Sequence, residues 1–563
     1  MKFNKYNIMC GIFGILNGED YAFQKKDIIT SIIHDFNKGK RRGPESSKIG
    51  IYGNSIIGFH RLAINGLDEL SNQPFIDGDL VLTCNGEIYN YRELAKKNNI
   101  SLKTNSDCEI ILHLYKKFGI EYTLNILDGV FAFAIFCVST GELILARDPY
   151  GVRPLYVARE NYCLLYASEI KSLYGICNNK NNIIEFSPGS FLKFKKDREF
   201  DIQKYSNFPC RTIFYNNESR VLTFDIFNMI NEAVRKRVEG TCDRPIACLL
   251  SGGLDSSLIC ALVKKYYNNT DHKLETYSIG LPGSEDLKYA RLVAEHLDTD
   301  HHEIVVSEDD FFNAIPEVIE AIETYDTTTV RASVGNYLIA KWIRENSTAK
   351  VVFNGDGADE LMGGYLYFHK APSTAEFDME CKRLLTDISK YDVLRSDRSI
   401  SSNGLEPRTP FLDRHWVEFY LSIDSSLRNH RLNSHCEKYL IRKAFQDYAP
   451  NILPEVVLWR TKEAFSDGVS SLSRSWYEII GEYINRNMEY DDVLNANLQQ
   501  LLSDENLHNR PKTLEQAYYR YLYDKNYGGC EYTIPYFWMP RFIQASDASA
   551  RTLDIYKQHV KDN

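Results

Sequence analysis

Up to about residue 200 the chain is a series of short apolar runs broken by glycine and asparagine. Residues 12–16, 55–60, 80–84, 131–137, 143–147, 155–158 and 163–167 read as strands. Many strands with few long helices predict stacked antiparallel sheets. The pattern changes from Leu222: Ile226, Met229, Ile230, Ala233 and Val234 recur at helical spacing. Residues 246–250 form a continuous apolar run, and Leu258, Leu262 and Val263 follow on a second helix. Residues 274–279 read as another strand, Leu287, Ala290, Ala294 and Leu297 share one helical face, and residues 351–353 form a further buried strand. Strand alternating with helix predicts a parallel sheet covered on both sides. Beyond Asp359 the pattern is mainly helical, and the end of the chain from about Lys525 reads as loosely attached. A polar, irregular stretch with Pro209, Asn216 and Asn217 separates the halves. The expected division is a first domain over 10–205, a linker over 206–221, a second domain over 222–540 and a tail over 541–563.

A chain of 563 residues exceeds what one hydrophobic core serves, so at least two domains are expected. The formal net charge of −10 offers no basic surplus, and no nucleic-acid partner is expected. No apolar run is long enough to span a membrane, and the opening MKFNKYNI lacks the apolar centre of a secretory signal. The 13 cysteines form no CxxC pairs, which excludes a disulfide or zinc framework and fits a reducing, cytoplasmic location.

Two segments carry the chemistry of the second half. Leu250-Ser251-Gly252-Gly253-Leu254-Asp255-Ser256-Ser257 follows a predicted strand and opens a predicted helix. Glycines clear a path for a ligand, while serine hydroxyls and free helix-start amides hold an anion. The lysine of a Walker A loop is missing, and the element instead resembles the pyrophosphate loop of ATP pyrophosphatases. Asn354-Gly355-Asp356-Gly357-Ala358-Asp359-Glu360 follows the strand at 351–353. In an open parallel sheet both loops share the rim beyond the strands' carboxyl ends. Acids there suit Mg²⁺, which takes carboxylates and phosphates together.

In the first half, Cys10 gains weight from His60-Arg61-Leu62-Ala63-Ile64, Asn85-Gly86-Glu87 and Ser106-Asp107. A thiolate nucleophile needs a base, an oxyanion hole and substrate anchors. No histidine lies close to Cys10 in sequence, so the α-amine of an N-terminal cysteine is the candidate base. Asn85 and the Gly86 amide suit the oxyanion, Arg61 an α-carboxylate and Asp107 an α-ammonium.

Taken in order, these segments resemble the glutamine-hydrolysing asparagine synthetases from Met9 to about residue 555. The first half is similar to the class II glutamine amidotransferases at Cys10-Gly-Ile-Phe-Gly, Arg41-Arg42-Gly43-Pro44, His60-Arg61-Leu62, Asn85-Gly86-Glu87 and Ser106-Asp107. The second half matches at LSGGLDSS, at residues 280–287, at His301-His302-Glu303, Glu323-Thr324-Tyr325-Asp326 and Arg331-Ala332-Ser333. It matches again at residues 364–372, 406–413 and 462–468, and at Ser549-Ala550-Arg551. The resemblance implies an α+β N-terminal-nucleophile hydrolase sandwich followed by an α/β ATP-pyrophosphatase domain with a largely helical C-terminal part. It implies Mg-ATP, glutamine and aspartate as ligands, and a homodimer. Glutamine would be held by Arg61, Leu62, Ala63, Ile64, Asn65, Asn85, Gly86, Glu87 and Asp107. ATP and pyrophosphate would meet Leu250, Ser251, Gly252, Gly253, Leu254, Asp255, Ser256, Ile279, Asn354 and Gly355. Lys462 would neutralise phosphate charge, and Asp255 and Asp359 would hold Mg²⁺. Adjacent histidines in a strand point to opposite faces, so His301 and His302 are expected to be structural. The matches around Glu323 and Lys370 favour free aspartate as the acceptor.

Two features depart from that pattern. Asp356 stands where the family has a catalytic glutamate, which shortens its reach by about 1.5 Å, one C–C bond. Eight residues also precede Met9, whereas the mechanism needs a free amine on Cys10. We expect initiation at Met9 with removal of that methionine. The alternatives are a cleaved propeptide, or a retained extension with ammonia-dependent synthesis only. Other readings are an amidotransferase or a β-lactam-synthetase-like enzyme acting on another carboxylate, and a silent regulatory scaffold.

Overall fold

The computed structural model describes residues 10–17, 28–43, 45–160, 163–195, 201–215, 220–241, 243–268, 272–432, 435–462, 475–545 and 547–549. The residues before Cys10, Pro44, the motif positions 463–468 and the Ala550-Arg551 pair lie outside them.

Among the described residues, twelve strands build the first half: β1 (Gly11–Leu16), β2 (Ser46–Tyr52), β3 (Ser55–Arg61), β4 (Phe75–Asp77), β5 (Leu80–Ile88), β6 (Gly129–Cys137), β7 (Glu142–Arg147), β8 (Tyr156–Glu160), β9 (Cys163–Ala167), β10 (Ile183–Glu185), β11 (Ser190–Phe194) and β12 (Ile202–Lys204). They form two six-stranded sheets, ordered β10-β8-β9-β1-β3-β2 and β12-β11-β7-β6-β5-β4. Alternation along each strand divides the apolar side chains between two layers. Ile12, Leu16, Ile57 and Phe59 meet Val81, Ala132, Ala134 and Leu145 between the sheets. Phe13 and Ile15 face outward with Ile32 and Phe36 of the helix Ile28–Lys38. Leu82, Cys84, Phe131 and Phe133 face the helices Tyr91–Asn98 and Glu109–Ile126. These helices are the helical part of the expected α+β sandwich, because each sheet needs a cover on its outer apolar face.

In the second half β13 (Ile246–Leu249), β14 (Glu275–Gly280), β15 (Asp300–Val305), β16 (Val351–Phe353) and β17 (Glu406–Arg408) form one parallel sheet, ordered β15-β14-β13-β16-β17. The chain moves outward from β13 to β15, then returns to place β16 on the other side. The loops after β13 and β16 therefore diverge at a topological switch point, where ligands bind in such sheets. Cys248, Val351 and Phe353 pack with the helices Arg220–Glu239, Leu254–Tyr266 and Glu285–Leu297. Ala247, Tyr277 and Val352 pack with Glu308–Ile322 and Thr327–Asn346. His301 faces Thr276 and Ser278 at 2.9 and 3.1 Å, whereas His302 stacks on Tyr277. The two rings thus lie on opposite faces, as expected.

The end of the chain is not loosely attached from Lys525. The helix Leu514–Tyr527 continues past that point, and the Tyr527 hydroxyl donates to Glu320 O at 2.6 Å. The Trp538 amide donates to Asp326 at 2.7 Å, and Asp547 pairs with Arg331 at 2.7 Å. Phe537, one of the aromatic residues that read as loop composition, packs edge-on against Tyr325. The connecting stretch is also pinned: Ile213 forms a parallel bridge with Ile423, and helix resumes at Arg220.

Buried ion pairs join the halves. Arg42 meets Asp397 at 2.7 Å, Arg153 meets Asp397 at 3.5 Å, and Arg408 meets Glu87 at 3.3 Å. Glu323 accepts the Ile170 and Lys171 amides at 2.9 and 2.8 Å and pairs with Arg398.

Candidate active sites

Cys10 continues the inward row of β1 and packs beside the core between the sheets. Its Sγ donates to Leu62 O at 3.3 Å, and the Leu62 amide approaches Sγ at 3.4 Å. Arg42, fully buried, donates from Nε to Cys10 O at 3.0 Å. Burial pushes the thiol above its ordinary range, so at neutral pH it is protonated and needs a base. His60 is turned to the outer face of its sheet. Its ring stacks on Phe36, its nitrogens lie 2.8 Å from Phe36 O and Ser47 Oγ, and burial pushes its pKa down to about 4.

The apolar run at 80–84 continues as strand through Ile88, so Asn85, Gly86 and Glu87 are sheet residues paired with β6. The Asn-Gly pair that usually marks a turn is accommodated because a Cβ at Gly86 would lie 2.4 Å from Val130 O. Asn85 is buried, and neither its Oδ1 nor its Nδ2 has a hydrogen-bond partner. An orphaned buried amide costs about 1–3 kcal/mol and calls for a ligand. Glu87 accepts Asn65 Nδ2 at 2.8 Å, and burial together with Asp107 and Glu406 pushes its carboxyl well above the usual range. Asp107 accepts the Ile88 amide at 2.6 Å, and burial pushes it up to about 6. Arg61 donates to Asn72 Oδ1 at 2.7 Å, to Asp68 O at 3.2 Å and to Gly66 O. Leu62, Ala63 and Ile64 are buried beside it. Arg61 and Glu87 lie close enough for their charges to act on the Cys10 thiol.

The second site is the cleft at the switch point. Leu250, Ser251, Gly253, Leu254, Asp255, Ser256, Ile279, Asn354, Gly355, Asp356, Asp359 and Lys462 all line it. Gly252 does not; at φ +74° its Cα lies against Ala290 and Tyr289, where a Cβ would come within 2.4 Å of the Ala290 nitrogen. It shapes the turn. The Ser251 and Ser256 hydroxyls bond each other at 3.0 Å, and no side chain caps the helix start at Gly253, so its first amides face the cleft.

Charge in this cleft is paired. Lys438 Nζ lies 2.5 Å from both Asp255 and Asp359, and Lys462 Nζ lies 2.6 Å from Asp359. Burial opposes ionisation of Asp359, but the two ammonium groups outweigh it and hold the carboxyl below its usual range. Asp255 is pushed up by burial despite Lys438, and its Oδ1 is buried with no hydrogen-bond partner. Two carboxylates beside a phosphate loop fit Mg²⁺, whose other ligands would be phosphate oxygens and water. Among the described residues no group of three or more His, Cys, Asp or Glu has metal-binding geometry. Asp356 pairs with Arg395 at 2.6 Å, and Arg395 also meets Asp392 at 3.1 Å.

Lys438 and Arg395 were not legible in the sequence. Lys438 reaches the carboxylates from a left-handed backbone position, φ +59°, ahead of the helix Tyr439–Tyr448. Arg395 is one basic residue on an amphipathic helix. The matches around Glu323 and Lys370, expected to favour free aspartate, reach the cleft through Ala332 and Tyr365. Glu323 is the interdomain cap described above, Lys370 is exposed, and neither lines the site.

The asparagine synthase family model matches residues 226–380 and 372–525, and the glutamine amidotransferase domain model matches residues 9–205. The asparagine synthetase (glutamine-hydrolyzing) of Pongo abelii is 40% identical over 581 residues, covering 98% of this chain and 100% of that protein. Those of Homo sapiens and Gallus gallus are 39% and 38% identical with the same coverage. The chain belongs to the glutamine-hydrolysing asparagine synthetase family.

Proposed function

We propose that the protein makes asparagine from aspartate, ATP and glutamine. The observation that carries this reading is the joining, in one chain, of a buried cysteine beside an orphaned Asn85 amide to a pyrophosphate-loop cleft. The full-length relatives named for this reaction support it.

In the first site Cys10 Sγ attacks the side-chain amide carbon of glutamine. With Cys10 as first residue, its α-amine takes the thiol proton and delivers it to the leaving ammonia. Asn85 Nδ2 and the Gly86 amide receive the oxyanion, and water then cleaves the glutamyl thioester to glutamate. Arg61 holds the α-carboxylate and Asp107 the α-ammonium, while Glu87, Asn65 and the 62–64 backbone shape the pocket.

In the second site the β-carboxylate of aspartate attacks the α-phosphorus of ATP, giving β-aspartyl-AMP and pyrophosphate. Ser251, Gly253, Asp255 and Ser256 surround the pyrophosphate, and Leu250, Ile279, Asn354 and Gly355 meet the nucleoside. Asp255 and Asp359 would hold Mg²⁺, which when bound neutralises phosphate charge. Lys462 and Lys438 add fixed positive charge. Asp356, oriented by Arg395, faces the acyl carbon where ammonia attacks and AMP leaves. Ammonia passes between the sites within the protein, which keeps it unprotonated. A cytoplasmic homodimer is part of the same reading. No helix among the described residues is long and apolar enough to cross a membrane.

The test is pyrophosphate exchange into ATP, with and without aspartate. Exchange that requires aspartate is expected; exchange indifferent to aspartate, or supported only by another carboxylate, would overturn the reading.

A further inference from the structure

The loop that carries the glutamine anchor is held from both sides. From within, Arg61 donates to Gly66 O and Asp68 O. From outside, it meets residues 243–245, which lead into β13 of the second half. Asp243 Oδ2 accepts the Gly66 amide at 2.9 Å. Arg244 donates from Nε to Ala63 O at 2.7 Å and from Nη2 to Glu45 Oε1 at 2.6 Å. Glu45 Oε2 in turn accepts the Ala63 amide at 2.8 Å. Both polar backbone groups of Ala63 and the amide of Gly66 therefore depend on Glu45 and on two residues of the other half. Arg244 is also close enough to Arg61 for its charge to act there. Asp243, Asn65, Gly66, Tyr91 and Asn105 line one cleft, so the second half contributes to the surface beside Asn65. β13 begins two residues after Arg244 and ends directly before Leu250. A four-residue strand thus separates this clasp from the pyrophosphate loop.

We propose that Asp243 and Arg244 are positioning residues for glutamine. They set the Ala63–Gly66 backbone from across the domain interface, and through it the Arg61 guanidinium that grips the α-carboxylate. The proposal rests on the reading of the Cys10 site as a glutaminase. A charged donor on a backbone carbonyl is among the stronger hydrogen bonds. Arg244 is about one-fifth exposed, so the effect falls at the lower end of the range for such bonds, about tenfold in KM.

The test uses the full chain and the variants R244Q, R244K and D243N. Glutamate release is measured against glutamine concentration, and ammonium-dependent asparagine formation is measured on the same preparations. R244Q is expected to raise KM for glutamine about tenfold, leaving its kcat and the ammonium-dependent rate within about twofold. R244K, which still donates to Ala63 O, restores part of the affinity, and D243N moves KM in the same direction. An unchanged KM in R244Q overturns the positioning role. So does a parallel fall of both activities, since the residues would then only hold the halves together. A parental protein that releases no glutamate overturns the glutaminase reading and this proposal with it. A parent that does, beside an unchanged R244Q, overturns this proposal alone.

Discussion

Replacing Asp356 by asparagine keeps the size of the side chain and removes its charge. Asp356 is 17% exposed, its partner Arg395 is 13% exposed, and they meet at 2.6 Å. Removing one partner of a well-buried pair costs about 3–5 kcal/mol. Arg395 keeps Asp392 at 3.1 Å, and the asparagine oxygen can still accept, so we take about 2–3 kcal/mol as the loss in holding the reactive geometry. That corresponds to a rate reduction of roughly 30- to 150-fold. The assay is asparagine formation from aspartate, Mg-ATP and ammonium, with glutamate release from glutamine measured on the same preparation. D356N should lose synthesis by that factor while glutamate release stays within about twofold. A D356N protein that makes asparagine at the parental rate refutes the role given to this carboxylate. Parallel loss of both activities would show instead that the pair only supports folding.

Other outcomes follow from the same geometry. N85A should lower glutamine turnover about 10²- to 10³-fold, the usual effect of losing an oxyanion donor, without touching ammonium-dependent synthesis; equal loss of both rates would contradict the assignment. K438M leaves Asp255 without its ammonium partner and should cost about 3–5 kcal/mol in the ligand-free protein. Chemical denaturation should show Mg-ATP restoring more stability to K438M than to the parent, and equal gains would count against the shared cation site. Burial pushes Asp107 up to about 6, so its ionised form, the one that binds an α-ammonium, is lost as pH falls through that value. KM for glutamine should rise about tenfold per pH unit below 6, and a flat profile over pH 5–7 would exclude that contact.

Much of this architecture is legible because the strands that position the sites are apolar on both faces. β1, β6, β7 and β13 are buried between a sheet and a helical layer, and such strands read as continuous hydrophobic runs. β17 shows why the rest was not. Its sequence Glu-Pro-Arg is charged at both ends, yet Glu406 and Arg408 are buried because they face charged partners in the other half. The expected strand at 80–84 stops short of the Asn-Gly pair, since only tertiary packing shows that Gly86 admits the neighbouring backbone. At the sites, residues grouped in short motifs could be found. Arg395, Lys438 and Arg244 act singly, over separations of 39 to 183 residues, and no local pattern marks them. The placement of Glu323 is the converse case. A motif can be read correctly as belonging to a family and still serve the interface, not the substrate.

The central claim is that nitrogen released at Cys10 reaches an aspartyl adenylate formed in the second half. The direct measurement supplies glutamine labelled with ¹⁵N at the amide, together with unlabelled ammonium, aspartate and Mg-ATP, to protein whose amino terminus has been sequenced. With Cys10 at that terminus, the parent should place the label in the asparagine amide beyond its dilution by solvent ammonium, and C10A should incorporate only unlabelled nitrogen. Asparagine carrying no label from the parent, or the same label from C10A, would contradict the claim.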